Sequence, residues 1–262
     1  MREQNEELLT QLEEIKQWEQ EQEDLWFWEK WGKIPFTILD KLTPKFLHQK
    51  VNAVLDELVQ YIHSGSRYLV NKEATLQKLG ANISLEDVRH LPLREIDRVA
   101  QEFAQSRKRL ATAQGATTGF GGIFTLTIDI PAVLGMSLKI LQEIAICYGY
   151  DPHDETERLF IVKCLQFSSS DIIGKQTILK ELQNFDNRAH QRDGISQVAS
   201  WREVITVYRD NYGWKKLFQL VPVAGMVFGA YLNRKAIEDI AETGRMLYKK
   251  RRILERLSAE VQ

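Results

Sequence analysis

Cysteine is almost missing from the chain: Cys147 and Cys164 are the two among 262 residues. Neither stands in a CxxC or other metal-ligand spacing, so a disulfide framework and a thiolate zinc site are both without basis, and a reducing compartment fits. Breakers are also few, with six prolines and fifteen glycines, and no stretch alternates apolar and polar residues long enough to make a strand. The five histidines form no HExxH and no paired ligand spacing, so no metal is expected. A GxSxG elbow is absent. Positive charge is not in excess either: net charge is -1, which leaves nucleic acid without the clustered Lys and Arg that phosphate neutralisation requires. The N-terminus is polar and acidic where a secretory signal needs a basic start and an apolar core, so a cytoplasmic location is expected.

Helical periodicity fills most of what remains. Leu8, Leu12, Ile15 and Trp18 recur at helical spacing among glutamates and predict an exposed amphipathic helix. The expected organisation is this acidic helix at 1–25 followed by one helical domain at 26–262. The whole is read as an all-α bundle of about eight to ten helices. Thr43 with Pro44 predicts a helix start, as does Ser84 with Asp87 three residues on, and Pro92 opens a helix bearing Leu93, Ile96, Ala100, Phe103, Arg107 and Leu110 on one face. Gly65 and Gly149 sit where C-terminal caps belong. Asp151 with Pro152 repeats the cap-and-proline device.

The stretch from Leu110 to Tyr150 organises the rest. It carries three charged residues, Asp129, Lys139 and Glu143, and its Gly115, Gly119 and Gly122 follow the small-xxx-small spacing that lets two helices approach closely. Gly225 and Gly229 repeat that spacing near the C-terminus. A central glycine-rich apolar hairpin is expected, with Asp129 as N-cap and Pro131 in the first turn of its second helix. Two readings stay open for these segments: a buried helical pair, or an apolar surface facing a membrane or partner. Neither Leu110–Ile128, with its glycines, threonines and Gln114, nor Phe218–Leu232, with its proline, makes a convincing membrane span.

Chemistry is harder to find. Ser168 to Ser170 with Asp171 reads as a helix-terminating loop, and GATTGFGG lacks the Lys and Ser/Thr of a phosphate-binding loop, so no cofactor is expected. Asp129, Lys139 and Glu143 are weak catalytic candidates: a cap plus an ion pair at the core rim, with Lys139 and Glu143 pairing across one turn, or a proton-handling or headgroup-binding site. Trp26, Trp28 and Trp31 crowd beside Lys30 and Lys33. They form either a membrane-interface belt or an anchor docking the first helix onto the body. Lys249, Lys250, Arg251 and Arg252 make a basic run that would attract anionic lipid, or would pair with the acidic N-terminal helix.

The blocks ATAQGATTGFGGIFTLTIDIP, KILQEIAICYGYD and QLVPVAGMVFGAYLNRKAIEDI, in that order, resemble the signature of the EcsC family of bacterial proteins. The resemblance covers most of the chain after about residue 25. It implies a largely helical cytoplasmic protein associated by name with an ABC transporter system, and it brings no catalytic residue. Together these readings lead to the expectation of a non-catalytic accessory or interaction protein at the inner membrane face, with ABC transporter subunits or anionic membrane as partners. The alternative is a lipid-handling or hydrolytic enzyme with its site near Asp129 and Glu143.

Overall fold

A computed structural model of the chain describes residues 5–23, 58, 60–65, 70–118, 123–169, 172–183, 185 and 229–259. Eight helices have their bounds within them: α1 Asn5–Glu23, α2 Lys72–Leu76, α3 Leu85–Val88, α4 Leu93–Thr118, α5 Ile123–Cys147, α6 Glu155–Ser169, α7 Ile172–Gln183 and α8 Gly229–Ala259. Residues 60–64 are helical as well, and no strand occurs among the described residues. The protein is an all-α multi-helix bundle.

Local signals set many of the boundaries. Ser84 and Asp87 close a full capping box at the start of α3, the serine hydroxyl accepting from the Asp87 amide and the aspartate accepting from the Ser84 amide. This satisfies two amides that a helix start leaves open. Gly149 ends α5 at φ +80°, where the Tyr150 amide donates to the Ala145 carbonyl at 3.0 Å and the Gly149 amide to Ile146 at 2.9 Å. That pair of bonds is the αL termination for which glycine is favoured. A side chain could not be added freely, because a Cβ on Gly149 would lie 3.0 Å from the Leu85 carbonyl oxygen. Gly65, at φ +64°, ends the helical residues before it in the same way.

Two expected starts move. The second helix of the hairpin begins at Ile123, so Asp129 and Pro131 lie inside α5 rather than capping it. Ile123, Phe124, Leu126 and Ile128, with two threonines between them, are helical ahead of the proline, which removes one backbone hydrogen bond without ending the helix. The helix after Asp151 starts at Glu155. The Asp151 carboxylate instead accepts from the His153 amide two residues on, at 3.0 Å, and from Lys72 at 2.9 Å, so it shapes a turn and ties it to α2.

Three long helices form the middle. α8 packs most extensively on α4, and it also contacts α5, α6 and α1. Arg256 reaches the Leu91 carbonyl, Arg245 meets Asp97, and Lys108 meets Glu238, an order that makes α4 and α8 antiparallel. α5 folds back along α4, with Arg107 against Glu143 and Asp97 against Tyr148, and so runs parallel to α8. Their interior is apolar, with Ile96, Leu138, Leu141, Ile144 and Ile253 fully buried. The predicted stripe of α1 also holds: Leu8, Leu12, Ile15 and Trp18 are buried, and α1 lies against α8 and α7.

Candidate functional site

Of the three charged residues in the apolar stretch, Glu143 is the one the structure places in a defined setting inside the fold. Its carboxylate, 7% exposed, faces the Arg107 guanidinium, which donates from Nε to Oε2 at 2.9 Å and from NH2 to Oε1. This two-point geometry suits the planar guanidinium. The hydrogen bond from Arg107 to Glu143 holds the arginine more firmly protonated than usual. Lys139 does not join the pair and stands exposed one turn away. The side chain of Asp129, like Gly119, Gly122, Gly225, Trp26, Trp28 and Trp31, lies outside the described residues. Gly115 falls within α4 and Gly229 opens α8.

The basic run is largely turned into the bundle. Lys249 is 9% and Arg252 3% exposed. Lys249 lies 4.0 Å from Asp97, whose other oxygen accepts from Arg245 at 2.9 Å and from the Tyr148 hydroxyl at 2.8 Å. Lys250 donates to both oxygens of Glu19 on α1, at 2.7 and 2.8 Å. Arg252 donates to the Tyr148 carbonyl at 3.0 Å and to Glu255 at 2.6 Å.

Arg251 sits deepest in aromatic company. It donates to Glu157 at 2.8 Å, and its guanidinium lies over the rings of Tyr150 and Phe160, at 4.2 and 4.8 Å. Cation–π attraction and the carboxylate together replace the water the arginine has lost. The second oxygen of Glu157 accepts from the Tyr248 hydroxyl, and Glu255 accepts from the Tyr150 hydroxyl at 2.8 Å. Burial, first of all, pushes the phenols of Tyr148, Tyr150 and Tyr248 well above the usual tyrosine range. These tyrosines remain neutral donors. Burial likewise raises the thiols of Cys147 and Cys164, which removes the thiolate a reactive cysteine needs.

Other structural residues went unread in the sequence. Arg158 is buried and donates to backbone carbonyls, Nε to Ile62 at 2.6 Å and NH2 to His63 at 2.9 Å, while NH1 reaches Pro152 and His153. It thereby pins the helical residues 60–64 to the turn before α6. Gly244 marks a close approach of α8 to α5, since a Cβ there would lie 2.6 Å from Leu141 Cδ2. Its one sequence signal was a glycine inside a long helical pattern, which asks for a packing reason. Among the described residues no group of three or more His, Cys, Asp or Glu could hold a metal ion, and no helix is long and apolar enough to cross a membrane.

The model of the EcsC protein family matches residues 9–253. The chain is 53% identical over 261 residues to Uncharacterized protein YdbA of Bacillus subtilis (strain 168), covering 97% of this chain and 96% of that one. It is 28% identical over 218 residues to Protein EcsC of the same organism, covering 82% of this chain and 89% of that one. No solved structure matches.

Proposed function

The chain belongs to the EcsC protein family, and from that premise we propose that it is a non-catalytic accessory or interaction protein acting at the cytoplasmic face of the membrane. An ABC transporter or secretion assembly is the kind of partner proposed. The observation that carries the non-catalytic part is the Arg107–Glu143 pair. A carboxylate used as a general base or nucleophile must be free to take a proton or meet a substrate. Both oxygens of Glu143 face the guanidinium of Arg107, and the low-dielectric setting favours keeping that pair intact. The lipid-handling or hydrolytic alternative, which needs Glu143 with Asp129, takes second place for that reason. Support for the membrane part comes from the sequence, through Trp26, Trp28 and Trp31 beside Lys30 and Lys33, since amphipathic rings settle at the headgroup level.

Fractionation of native cells tests the location. The protein is expected to sediment with membranes and to leave them in high-salt or carbonate washes, together with components of an integral membrane complex. Recovery wholly in the soluble fraction after gentle low-salt lysis would count against the membrane face. A folded Asp129→Asn protein that loses function in a cellular secretion or transport assay would instead move the enzymatic reading to first place.

A further inference from the structure

Helix α1 is held to the body by two kinds of contact. Its inner stripe is apolar, and the Trp18 ring packs against Phe167 of α6 at 5.6 Å. Its flank is polar, with Glu19 on Lys250 of α8 and Gln22 accepting from Lys175 of α7 at 2.7 Å. The basic run depends unequally on this helix. Lys249, Arg251 and Arg252 have their counter-groups on α4, α6, α8 and the turn after α5, whereas the carboxylate that meets Lys250 comes from α1.

The docked state of α1 also contains a defect. Trp18 is 7% exposed and its indole N–H is buried with no hydrogen-bond partner among the described residues. An unmet buried donor disfavours the arrangement that buries it, and a tryptophan is well placed at a lipid headgroup boundary, where the ring is covered and the N–H finds an acceptor. Along α8 from Lys250 one large apolar side chain stands in solvent. Leu254 lies four residues beyond Lys250, on the same face of α8, and is 45% exposed.

We infer that α1 is a latch which an anionic lipid surface opens. The inference rests on the membrane-face reading proposed above and says how that surface is regulated. In the closed state Glu19 neutralises Lys250, and Trp18 covers Phe167. In the open state Lys250 exchanges the Glu19 carboxylate for a lipid phosphate, Lys175 and Phe167 are uncovered, and Trp18 moves to the headgroup layer. The ion pair trades one anion for another, so the exchange is balanced in charge and responds to the anionic lipid content of the bilayer.

The test uses the full-length chain, hydrogen exchange read by mass spectrometry, and vesicles of phosphatidylglycerol and phosphatidylcholine in equal parts. Without lipid, the α1 amides of Glu19→Gln are expected to exchange about fivefold faster than those of the wild type, with α4 and α5 unchanged. With vesicles, Glu19→Gln is expected to bind more tightly than the wild type. Lys250→Gln removes the same ion pair and opens α1 as readily, yet it is expected to bind vesicles more weakly than Glu19→Gln. A purely structural ion pair would let the two variants differ only by their net charge, by as much as Glu13→Gln differs from Lys16→Gln at the exposed pair of the same helix. Equal α1 exchange in wild type and Glu19→Gln overturns the latch, whatever the vesicles do. Binding of wild type with α1 as protected as in solution overturns the latch and leaves the membrane reading standing. No binding by any of the three overturns the membrane reading, and lipid as the opening agent with it.

Discussion

Helix α1 and the last turns of α8 are strongly charged, of opposite sign, and in contact, yet they dispose of their charge in different ways. In α1, Glu6, Glu13, Glu14 and Glu21 stand in solvent while the apolar stripe faces inward. In α8, Lys249 and Arg252 are buried, and the side chains of Lys250 and Arg251 are 19% and 13% exposed. The reason lies in spacing rather than composition. Each helical residue turns by about 100°, so four in a row sweep roughly 300° of the circumference. A run such as Lys249 to Arg252 has no common face to offer a membrane, and a helix packed on several sides must turn some of those cations inward. Apart from Glu19, the glutamates of α1 lie to the sides of its buried apolar stripe and avoid that consequence.

The comparison breaks most visibly if the inward charges of α8 prove dispensable. Glu157→Leu removes the carboxylate that faces Arg251 and the Tyr248 hydroxyl, leaving the guanidinium to the aromatic rings and to Glu255 at 3.8 Å. A loss on the order of 3 kcal/mol is expected in denaturant unfolding. Adding Arg251→Met should recover much of it, because the pair as a whole is replaced by apolar volume. A double variant as unstable as the single one would mean that the carboxylate holds Tyr248 more than it holds Arg251.

The next largest effect sharpens the account of how α8 is seated. At Gly244→Leu the added side chain meets Leu141 and Ile144 of α5, both fully buried, and overpacking of that kind costs about 1 to 3 kcal/mol. Unfolding midpoints of wild type and variant that coincide would show that α8 can shift away from α5 freely.

A pH series addresses the hydroxyls around the same cations. Burial raises the phenols of Tyr148, Tyr150 and Tyr248 in the folded protein, so the fold binds those protons more tightly than the unfolded chain does. The stability they contribute is complete below the ordinary tyrosine value of about 10 and declines as pH rises above it. Phenolate absorbance from these three is expected to appear together with unfolding. Its appearance in a protein that still holds native circular dichroism would place them nearer to water than the structure does.

How far all this was legible follows from the same geometry. Local signals survived where they needed only neighbours in sequence: the Ser84–Asp87 box, the glycine caps at 65 and 149, and the stripes of α1 and α4. The Asp129 cap failed because α5 is already helical from Ile123, and an acid followed by a proline does not reveal whether the residues before it are helical too. Partners across helices were out of reach. Arg107 was read as part of an apolar face and Glu143 as a partner of Lys139, and their meeting depends on α5 folding back along α4. Glu157 and Arg158 carried no signal, because neighbouring residues of one helix turn to opposite tasks once α8 lies alongside. The inward turn of the basic run was readable in principle from its four consecutive positions, and pairing with the acidic N-terminal helix was one of its two readings, met where Lys250 reaches Glu19; the acceptors of the other three cations were not readable.

The smallest expected effect falls on α1 and decides whether its charges are as unequal as the geometry implies. Glu13 and Glu14 point to solvent, the first within reach of Lys16 alone at 3.2 Å and with side chains 75% and 53% exposed in that pair. An exposed i,i+3 pair contributes a few tenths of a kcal/mol at most, so Glu13→Gln with Glu14→Gln should leave stability within about 0.5 kcal/mol of wild type. Glu19 differs through shielding: its side chain is 13% exposed and both oxygens are engaged by Lys250. Glu19→Gln is therefore expected to lose about 1 kcal/mol, a change that fades little in high salt because the pair is partly removed from solvent. Thermal or urea unfolding of the two proteins at low and high salt reads both terms. If removing the two outer glutamates costs as much as removing Glu19, α1 is held by the overall attraction between an acidic and a basic helix, and high salt should release it. If the difference holds at both salt concentrations, one buried carboxylate and the apolar stripe fix the helix in place.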